Sequence, residues 1–321
     1  MRGATYTGAM PDPGHLPVPV PPHRAQDTHK GSFGSVLVVA GSRRYPGAAV
    51  LTALGAGRAG AGLVRLAVPE PLLPVVVAAT PFATVLPCAS TQDGELTASA
   101  RDLIRAEAEN ADVVVAGPGL GTHTETGRLV RHLIEDIAAP LVLDADALNL
   151  LATDLDTDPG ETLRRLGSRS APLVLLPHPG EFARLARAAG AGGLGDGDPV
   201  PVGHDAPRRA AAGLARALGS IVVLKGHGSV TTDGARAVVE SAGNPGLATG
   251  GMGDVLAGVV GAVLAGAAGI DRGDTAAAVA LAVRLHALAG DQAAADLGPE
   301  AVLPADVADR LGLAYEALRG G

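Results

Sequence analysis

The sequence predicts an α/β protein with a mostly parallel central sheet, helices on both faces and an antiparallel hairpin at one edge. Three observations predict it. From Lys30 onward, short runs of Val, Leu and Ile alternate with Ala-rich stretches of helical length, the order expected of parallel strands joined by crossover helices. The short runs are almost wholly apolar rather than alternating, which suits strands covered on both faces. After Lys225 the pattern changes to two short runs around Asp233-Gly234, a hairpin turn signal.

The elements follow in chain order. Residues 1–29 hold six prolines between positions 11 and 22 and little periodicity, so they read as a flexible leader with some polyproline character. They lack the cationic start and apolar stretch of a signal peptide. Residues 30–321 read as one domain, with strands expected at 35–40, 63–68, 112–116, 141–143, 173–176 and 221–224. The hairpin pairs 229–232 with 237–240. Helices are expected to begin at Gly47, Glu125, Ala147, Glu181, Ala206, Asp254, Asp274 and Ala305. The uncharged run between Asp254 and Asp271 spans 16 residues with four glycines, short of the roughly 20 that cross a bilayer, so it reads as a buried helix and no membrane partner is expected. The Gly-, Asp- and Pro-rich stretch 189–206 is linker-like but too short to separate domains.

Composition excludes several functions. With 321 residues, 2% aromatics and no Trp, the core must be built from Val, Leu, Ala and Ile packed closely around glycine. A net charge of −8 without clustered Lys or Arg argues against a nucleic-acid surface. A single cysteine excludes an internal disulfide and a cysteine metal cluster, which suits a reducing, cytoplasmic location.

The most informative segment is Asn244-Pro-Gly-Leu-Ala-Thr-Gly-Gly-Met-Gly-Asp-Val-Leu-Ala-Gly258. Gly250, Gly251 and Gly253 permit a tight turn whose amides point one way, with Gly253 expected to bring the backbone close to phosphate and to take positive φ, and the helix beginning near Asp254 adds its positive dipole end. An acid inside such a phosphate nest is electrostatically out of place unless it abstracts a proton from an attacking hydroxyl, the role read for Asp254. The bland alternative is a loop and a helix cap.

In open sheets of this kind ligands collect at the carboxyl ends of the strands, and five strand ends here carry Gly, Asp, His, Glu or Lys. Each keeps two readings. Gly117-Pro-Gly-Leu-Gly121 is a ligand loop or a tight turn, and it is not the dinucleotide fingerprint. His178, between two prolines, is a ligand contact or a structural turn. Glu181 is a first-turn acid or holds magnesium (Mg2+) through water. Asp144 and Asp146 are metal-associated or caps of the next helix, with Asp146 the better cap. Lys225 neutralises a phosphate or closes its strand, with Gly226 and Gly228 leaving room for a nucleotide. No Walker A pattern occurs.

Together these residues carry a resemblance. Tyr45-Pro-Gly-Ala-Ala49, Ala59-Gly-Ala-Gly-Leu-Val64, Ala116-Gly-Pro-Gly-Leu-Gly121, Leu143-Asp-Ala-Asp-Ala-Leu-Asn149, Pro177-His-Pro-Gly-Glu181, Leu224-Lys-Gly-His-Gly228 and the glycine segment ending at Gly258 stand in the order of the ADP-dependent NAD(P)H-hydrate dehydratase family, and the chain resembles its form without an epimerase domain. Leu176 departs from the Thr usual before Pro-His, and the stretch after Ala189 is unusually long.

The resemblance implies a ribokinase-like fold and a substrate, the S epimer of NADH or NADPH hydrated at nicotinamide C6 (NADHX and NADPHX). The β-phosphoryl group of ADP would pass to the C6 hydroxyl, releasing AMP. Phosphate would then leave with help from the ring nitrogen. Asp254 would be the base. Ala48, Gly119, Gly121 and His178 would contact the hydrate. Lys225, Gly226, His227, Gly228 and Ser229 would line AMP, the amides at Gly250, Gly251 and Gly253 would hold the phosphoryl group, and Glu181 would organise magnesium. A separate NAD(P)H-hydrate epimerase and a homotetramer are implied as well. A leader of 29 residues has no room for the epimerase domain, so the chain is expected to dehydrate only. Two rivals stand beside this reading: a vitamin-alcohol kinase using the same Asp254 and nest, and a nucleotide-binding regulatory module without catalysis.

Overall fold

The computed structural model describes residues 13–191, 205–266 and 274–320. The chain enters on a two-residue strand, β1 (Gly14–His15), and then alternates: β2 (Ser35–Val39), α1 (Pro46–Arg58), β3 (Leu63–Pro69), α2 (Leu73–Ala79), β4 (Thr84–Cys88), α3 (Arg101–Ala108), β5 (Val113–Ala116), α4 (Thr124–Asp136) and β6 (Leu141–Leu143). Helices α5 (Asp146–Thr157) and α6 (Pro159–Gly167) lead to β7 (Leu173–Leu175), and α7 (Pro179–Ala188) and α8 (Asp205–Leu218) precede β8 (Ile221–Leu224). The hairpin β9 (Val230–Thr232) and β10 (Arg236–Val239) follows, then α9 (Met252–Ala265), α10 (Thr275–Leu297) and α11 (Pro304–Gly320).

These strands form one sheet in the order β1-β10-β9-β8-β7-β6-β5-β2-β3-β4. Pairing is parallel except where β9 meets β8 and β10, so the hairpin expected from Asp233-Gly234 is present near one edge. Successive residues of a strand face opposite sides, and both sides are apolar. Val36 and Val38 enter one core with α1, α9, α10 and α11, while Leu37 and Val39 enter the other with α4, α5, α7 and α8. The apolar run after Asp254 is a buried helix as far as Ala265, and no helix among the described residues is long and apolar enough to cross a membrane.

Close helix packing accounts for much of the glycine. A Cβ on Gly258 of α9 would lie 2.0 Å from the Thr52 carbonyl oxygen, and one on Gly55 of α1 would lie 2.3 Å from that of Val255. The two helices therefore touch backbone to backbone, which fixes the start of α9 against α1 and the sheet.

The leader departs from expectation in its described part. Gly14 and His15 pair with Arg236 and Ala237, and Leu16 is fully buried in the core. Arg24 donates to the Gly60 carbonyl and lies over the Phe33 ring, and Arg319 donates to the carbonyls of Pro21 and Pro22. Prolines cannot donate to a ladder and blur periodicity, so this strap carried no strand signal. The stretch 189–206 lies largely outside the described residues.

Candidate active site

β2 has β3 on one side and β5 on the other, so chain order reverses there, the place at the carboxyl ends of the strands where open α/β sheets take their ligands. The loops after these strands meet. The Gly41 amide donates to the Pro118 carbonyl at 2.8 Å. Gly119, with φ +63°, comes so close to the start of α1 that a Cβ would sit 2.8 Å from that of Ala48. Two residues expected to contact the hydrate are thereby neighbours. Gly121 joins them through Asp146, whose Oδ2 accepts its amide at 2.8 Å, and a Cβ there would strike the Glu95 carboxylate.

That bond overturns the expectation that Asp146 caps α5. The N-cap position belongs to Ala145, which offers no side-chain bond, and Asp146 reaches across to the β5 loop instead. Burial raises the Asp146 carboxyl above the ordinary range, with smaller upward pushes from Glu95 and Asp144 opposed by the Gly121 amide and Asn149. Ala145 itself is the only non-glycine residue with positive φ among those described, at 50°, a strained conformation that aims the two aspartates in different directions.

Asp144 is buried and paired with Lys225, Nζ donating to Oδ1 at 2.6 Å, while the Ala145 amide donates to the same oxygen at 2.9 Å. Lys225 thus ties the end of β8 to the end of β6 across β7. Lys225→Met is expected to leave a buried carboxylate uncompensated and to lower unfolding stability by about 3 kcal/mol in urea titration. A loss under about 1 kcal/mol would show that the pair is not integral to the site.

Asp254 lies in the first turn of α9, beside that pair. Gly251, the N-cap of α9, contributes no side-chain cap, unlike His178 at α7 or Asp274 at α10. Apart from the Met252 amide, which donates to the Thr249 carbonyl, the orphan donors of the first turn are therefore left to what binds there. The left-handed residue is Gly251, φ 92°, and a Cβ on it would strike Leu51. Gly253 is helical, correcting the positive φ expected there. Glycine at 253 sets this turn close beside the ion pair, since an added Cβ would stand 3.2 Å from Lys225 Nζ and 3.6 Å from Asp144 Oδ2. Gly250 is exposed with open space around it. The Asp254 carboxyl is pushed up to about 7, first by burial and then by Asp144 and Asp146, with Lys225 pulling the other way. A carboxylate titrating near neutrality at a helix N-terminus is matched to proton abstraction.

His178 sits at the carboxyl end of β7 and caps α7, its Nδ1 accepting the Gly180 amide at 3.0 Å and the Glu181 amide at 3.4 Å. The structural-turn reading is therefore realised, and the ring has its proton on Nε2. Burial and the charges of Lys225 and Arg184 lower its pKa, so the ring is neutral at pH 7. Glu181 completes the capping box: Oε2 accepts the His178 amide at 2.9 Å and Oε1 lies 3.3 Å from His178 Nε2. That engagement holds Glu181 in the cap at the start of α7, and burial raises its pKa. Among the described residues no group of three His, Cys, Asp or Glu is placed to hold a metal ion.

The loop after β8 is closed on itself. Gly226 and Gly228 take φ 159° and 73°, and Ser229 Oγ donates to the Gly226 carbonyl at 3.1 Å. Gly226 and His227 are exposed on it, and Lys225 alone reaches inward to Asp144. Sequence reading left the tasks of Asp144 and Asp146 undecided and passed over Glu95, Asn149 and Arg184. Arg184 donates through Nε and Nη2 to Asn149 Oδ1 at 3.1 and 2.7 Å on the rim beside His178. The position of Asp144 and Asp146 at a strand end was a signal. Glu95 and Arg184 carried none, since their partners are distant in sequence.

Residues 36–312 match the NAD(P)H-hydrate dehydratase family. A bifunctional NAD(P)H-hydrate repair enzyme of Thermofilum pendens is 37% identical over 304 residues, covering 94% of this chain and 53% of that protein. The chain thus spans about half the length of that bifunctional relative. An ADP-dependent (S)-NAD(P)H-hydrate dehydratase of Xanthomonas campestris is 35% identical, covering 87% of this chain and 86% of that protein. Among solved structures, an ADP/ATP-dependent NAD(P)H-hydrate dehydratase of Bacillus subtilis, co-crystallized with ATP and magnesium, superimposes with a TM-score of 0.71 at 28% identity, covering 93% of this chain and 95% of that one.

Proposed function

This chain belongs to the NAD(P)H-hydrate dehydratase family, and from that premise we propose that it dehydrates (6S)-NADHX and NADPHX at the expense of ADP. Hydroxide is a poor leaving group, so the C6 hydroxyl is first phosphorylated. Asp254 takes the hydroxyl proton, the oxygen attacks the β-phosphorus of ADP, and AMP leaves. The C6–O bond then breaks as the ring nitrogen's lone pair moves in, and proton loss from the ring restores the dihydronicotinamide with release of phosphate. The observation that carries this reading is a carboxyl raised to about 7 in the first turn of a helix that has no side-chain cap.

The remaining roles follow from placement. Lys225, held 2.6 Å from Asp144, adds a fixed positive charge beside the amides of residues 251–253. Ala48 and Gly119, packed against each other, and Gly121, anchored by Asp146, form a wall without bulky side chains for the hydrated ring. His178 presents Nε2–H on the rim. Gly226, His227, Gly228 and Ser229 form the shelf for AMP. Magnesium bound to the nucleotide phosphates would neutralise their charge, with Glu181 the carboxylate proposed to hold it through water. The S epimer is supplied by an NAD(P)H-hydrate epimerase.

The test incubates purified protein with NADHX, magnesium and ADP or ATP. Reduced-nicotinamide absorbance, inorganic phosphate and AMP should rise together. A stable phosphorylated alcohol formed from a vitamin substrate, with NADHX untouched, would transfer the site to the kinase reading, and ADP binding without turnover to a regulatory module.

His178→Ala is expected to raise KM for NADHX or lower kcat while leaving the ADP dissociation constant within about threefold, because one lost ligand hydrogen bond costs on the order of 1 kcal/mol where it is made. The same change removes the α7 cap and should cost about 1 kcal/mol of stability, which His178→Asn recovers. A loss confined to ADP binding moves His178 to the nucleotide side.

A further inference from the structure

We propose that Asp291, on α10, is a positioning residue for the phosphate nest, acting through Asn244. The proposal rests on reading residues 250–254 as that nest. The segment between β10 and α9 has no regular structure beyond one short turn at Pro245–Leu247, yet it must place Asp254 and the first-turn amides of α9 to within tenths of an ångström. A continuous relay of hydrogen bonds supplies the rigidity.

Asp291 Oδ2 accepts the Gly243 amide and Oδ1 accepts Asn244 Nδ2, both at 2.9 Å. The other end of the same side chain, Asn244 Oδ1, accepts the Gly246 amide at 2.9 Å. The Gly246 carbonyl accepts Thr249 Oγ1 at 3.1 Å, and the Thr249 carbonyl accepts the amide of Met252, the first residue of α9, at 3.3 Å. Each bond passes orientation to the next, and the chain ends two residues before Asp254. Gly246 is pinned further, because a Cβ there would lie 2.6 Å from the Pro299 carbonyl oxygen.

α10 also grips the start of this segment. Arg284 Nε donates to the buried Glu240 at 2.9 Å, where the segment leaves β10. Gly290 lets Leu247 lie on the helix, since a Cβ would come 2.6 Å from Leu247 Cδ2. The nest is thus seated on α10 as well as on its own loop, with Asp291 the contact that fixes the turn leading into it.

The relay predicts a specific rescue. Asn244→Asp sets two carboxylates against each other, and Asp291→Asn turns an amide NH2 toward either Asn244 Nδ2 or the Gly243 amide. In the exchanged pair, Asn244→Asp with Asp291→Asn, every partner is restored: the new amide donates to the new carboxylate and accepts Gly243, and the carboxylate still accepts Gly246. Each single variant should weaken ADP binding by about tenfold in calorimetry and lower kcat by a similar factor, while the exchanged pair returns both to within about threefold of wild type. Hydrate KM should move little.

Single variants with wild-type ADP affinity, or an exchanged pair no better than the sum of its singles, overturn the relay. Should a single variant fail to fold, the exchanged pair decides alone, supporting the relay if it folds with near wild-type affinity and overturning it if not. A wild-type chain that binds ADP but leaves NADHX unconverted removes the dehydratase reading while the relay is still measured through ADP affinity. A wild-type chain that does not bind ADP overturns both.

Discussion

Asp254→Asn is expected to lower kcat by roughly 10²- to 10⁴-fold with the ADP dissociation constant almost unchanged. The amide keeps the shape of the carboxylate and removes only its ability to take a proton. In the wild type, kcat/KM should fall about tenfold per pH unit below a pKa of about 7 and level off above it, because protonated Asp254 cannot act as base. The residual rate of the variant should lose that inflection. A variant with near wild-type kcat, or with the inflection intact, would place the base elsewhere.

Stability supplies a second reading of the same group. The Asp254 pKa is raised on folding, from an ordinary 3.8 to about 7, so between these values the unfolded chain holds fewer protons than the folded one and stability falls as pH rises. The loss is complete above about pH 7. Asp254→Asn escapes it, so thermal melts should show the variant gaining on the wild type at pH 8 relative to pH 4. An active-site acid that weakens the fold at the pH where it works is a stability–activity trade-off confined to one side chain.

How much of this was readable in the sequence differs between elements. The inner strands were legible because burial on both faces leaves an unbroken apolar run, as at 141–143 and 221–224, whose bounds coincide with the strands found. β4 and α2 were missed: Thr-Val-Leu-Pro-Cys carries a proline on the sheet edge, and Leu-Pro-Val-Val-Val-Ala-Ala has a β-branched run in a helix. α3 and α6 are short and polar, and β1 is two residues long.

Within the site, the loops announced themselves because polar residues at the ends of apolar strands have little structural reason to recur. Their partners did not. Lys225 and Asp144 are 81 residues apart and Asn244 and Asp291 are 47 apart, and only the sheet order and the seating of α10 bring them together. Nor does a run of glycines say which one turns left-handed. That depends on Leu51 and Pro304 standing against Gly251, whereas Gly253 faces charged side-chain ends.

This difference between the two glycines makes the second large effect specific. Gly253→Val is expected to weaken ADP binding by about 100-fold and to cut kcat/KM by roughly 10³-fold, because β-branched methyl groups would cover the first-turn amides where phosphate oxygens must approach. The fold should tolerate the change. Gly253 has helical φ, and the nearest atom to an added Cβ is the far end of the Lys225 side chain at 3.2 Å, which need give by only a few tenths of an ångström. Valine also costs no more in a helix than glycine does. Gly251→Val is the contrasting control: positive φ and a 2.6 Å clash with Leu51 make it a folding defect, lowering Tm along with every activity. The informative pattern is therefore a folded Gly253→Val protein, with a Tm near wild type, that has lost ADP. Equal ADP affinity in wild type and Gly253→Val would move the nucleotide away from α9 and, with it, the role drawn for Asp254.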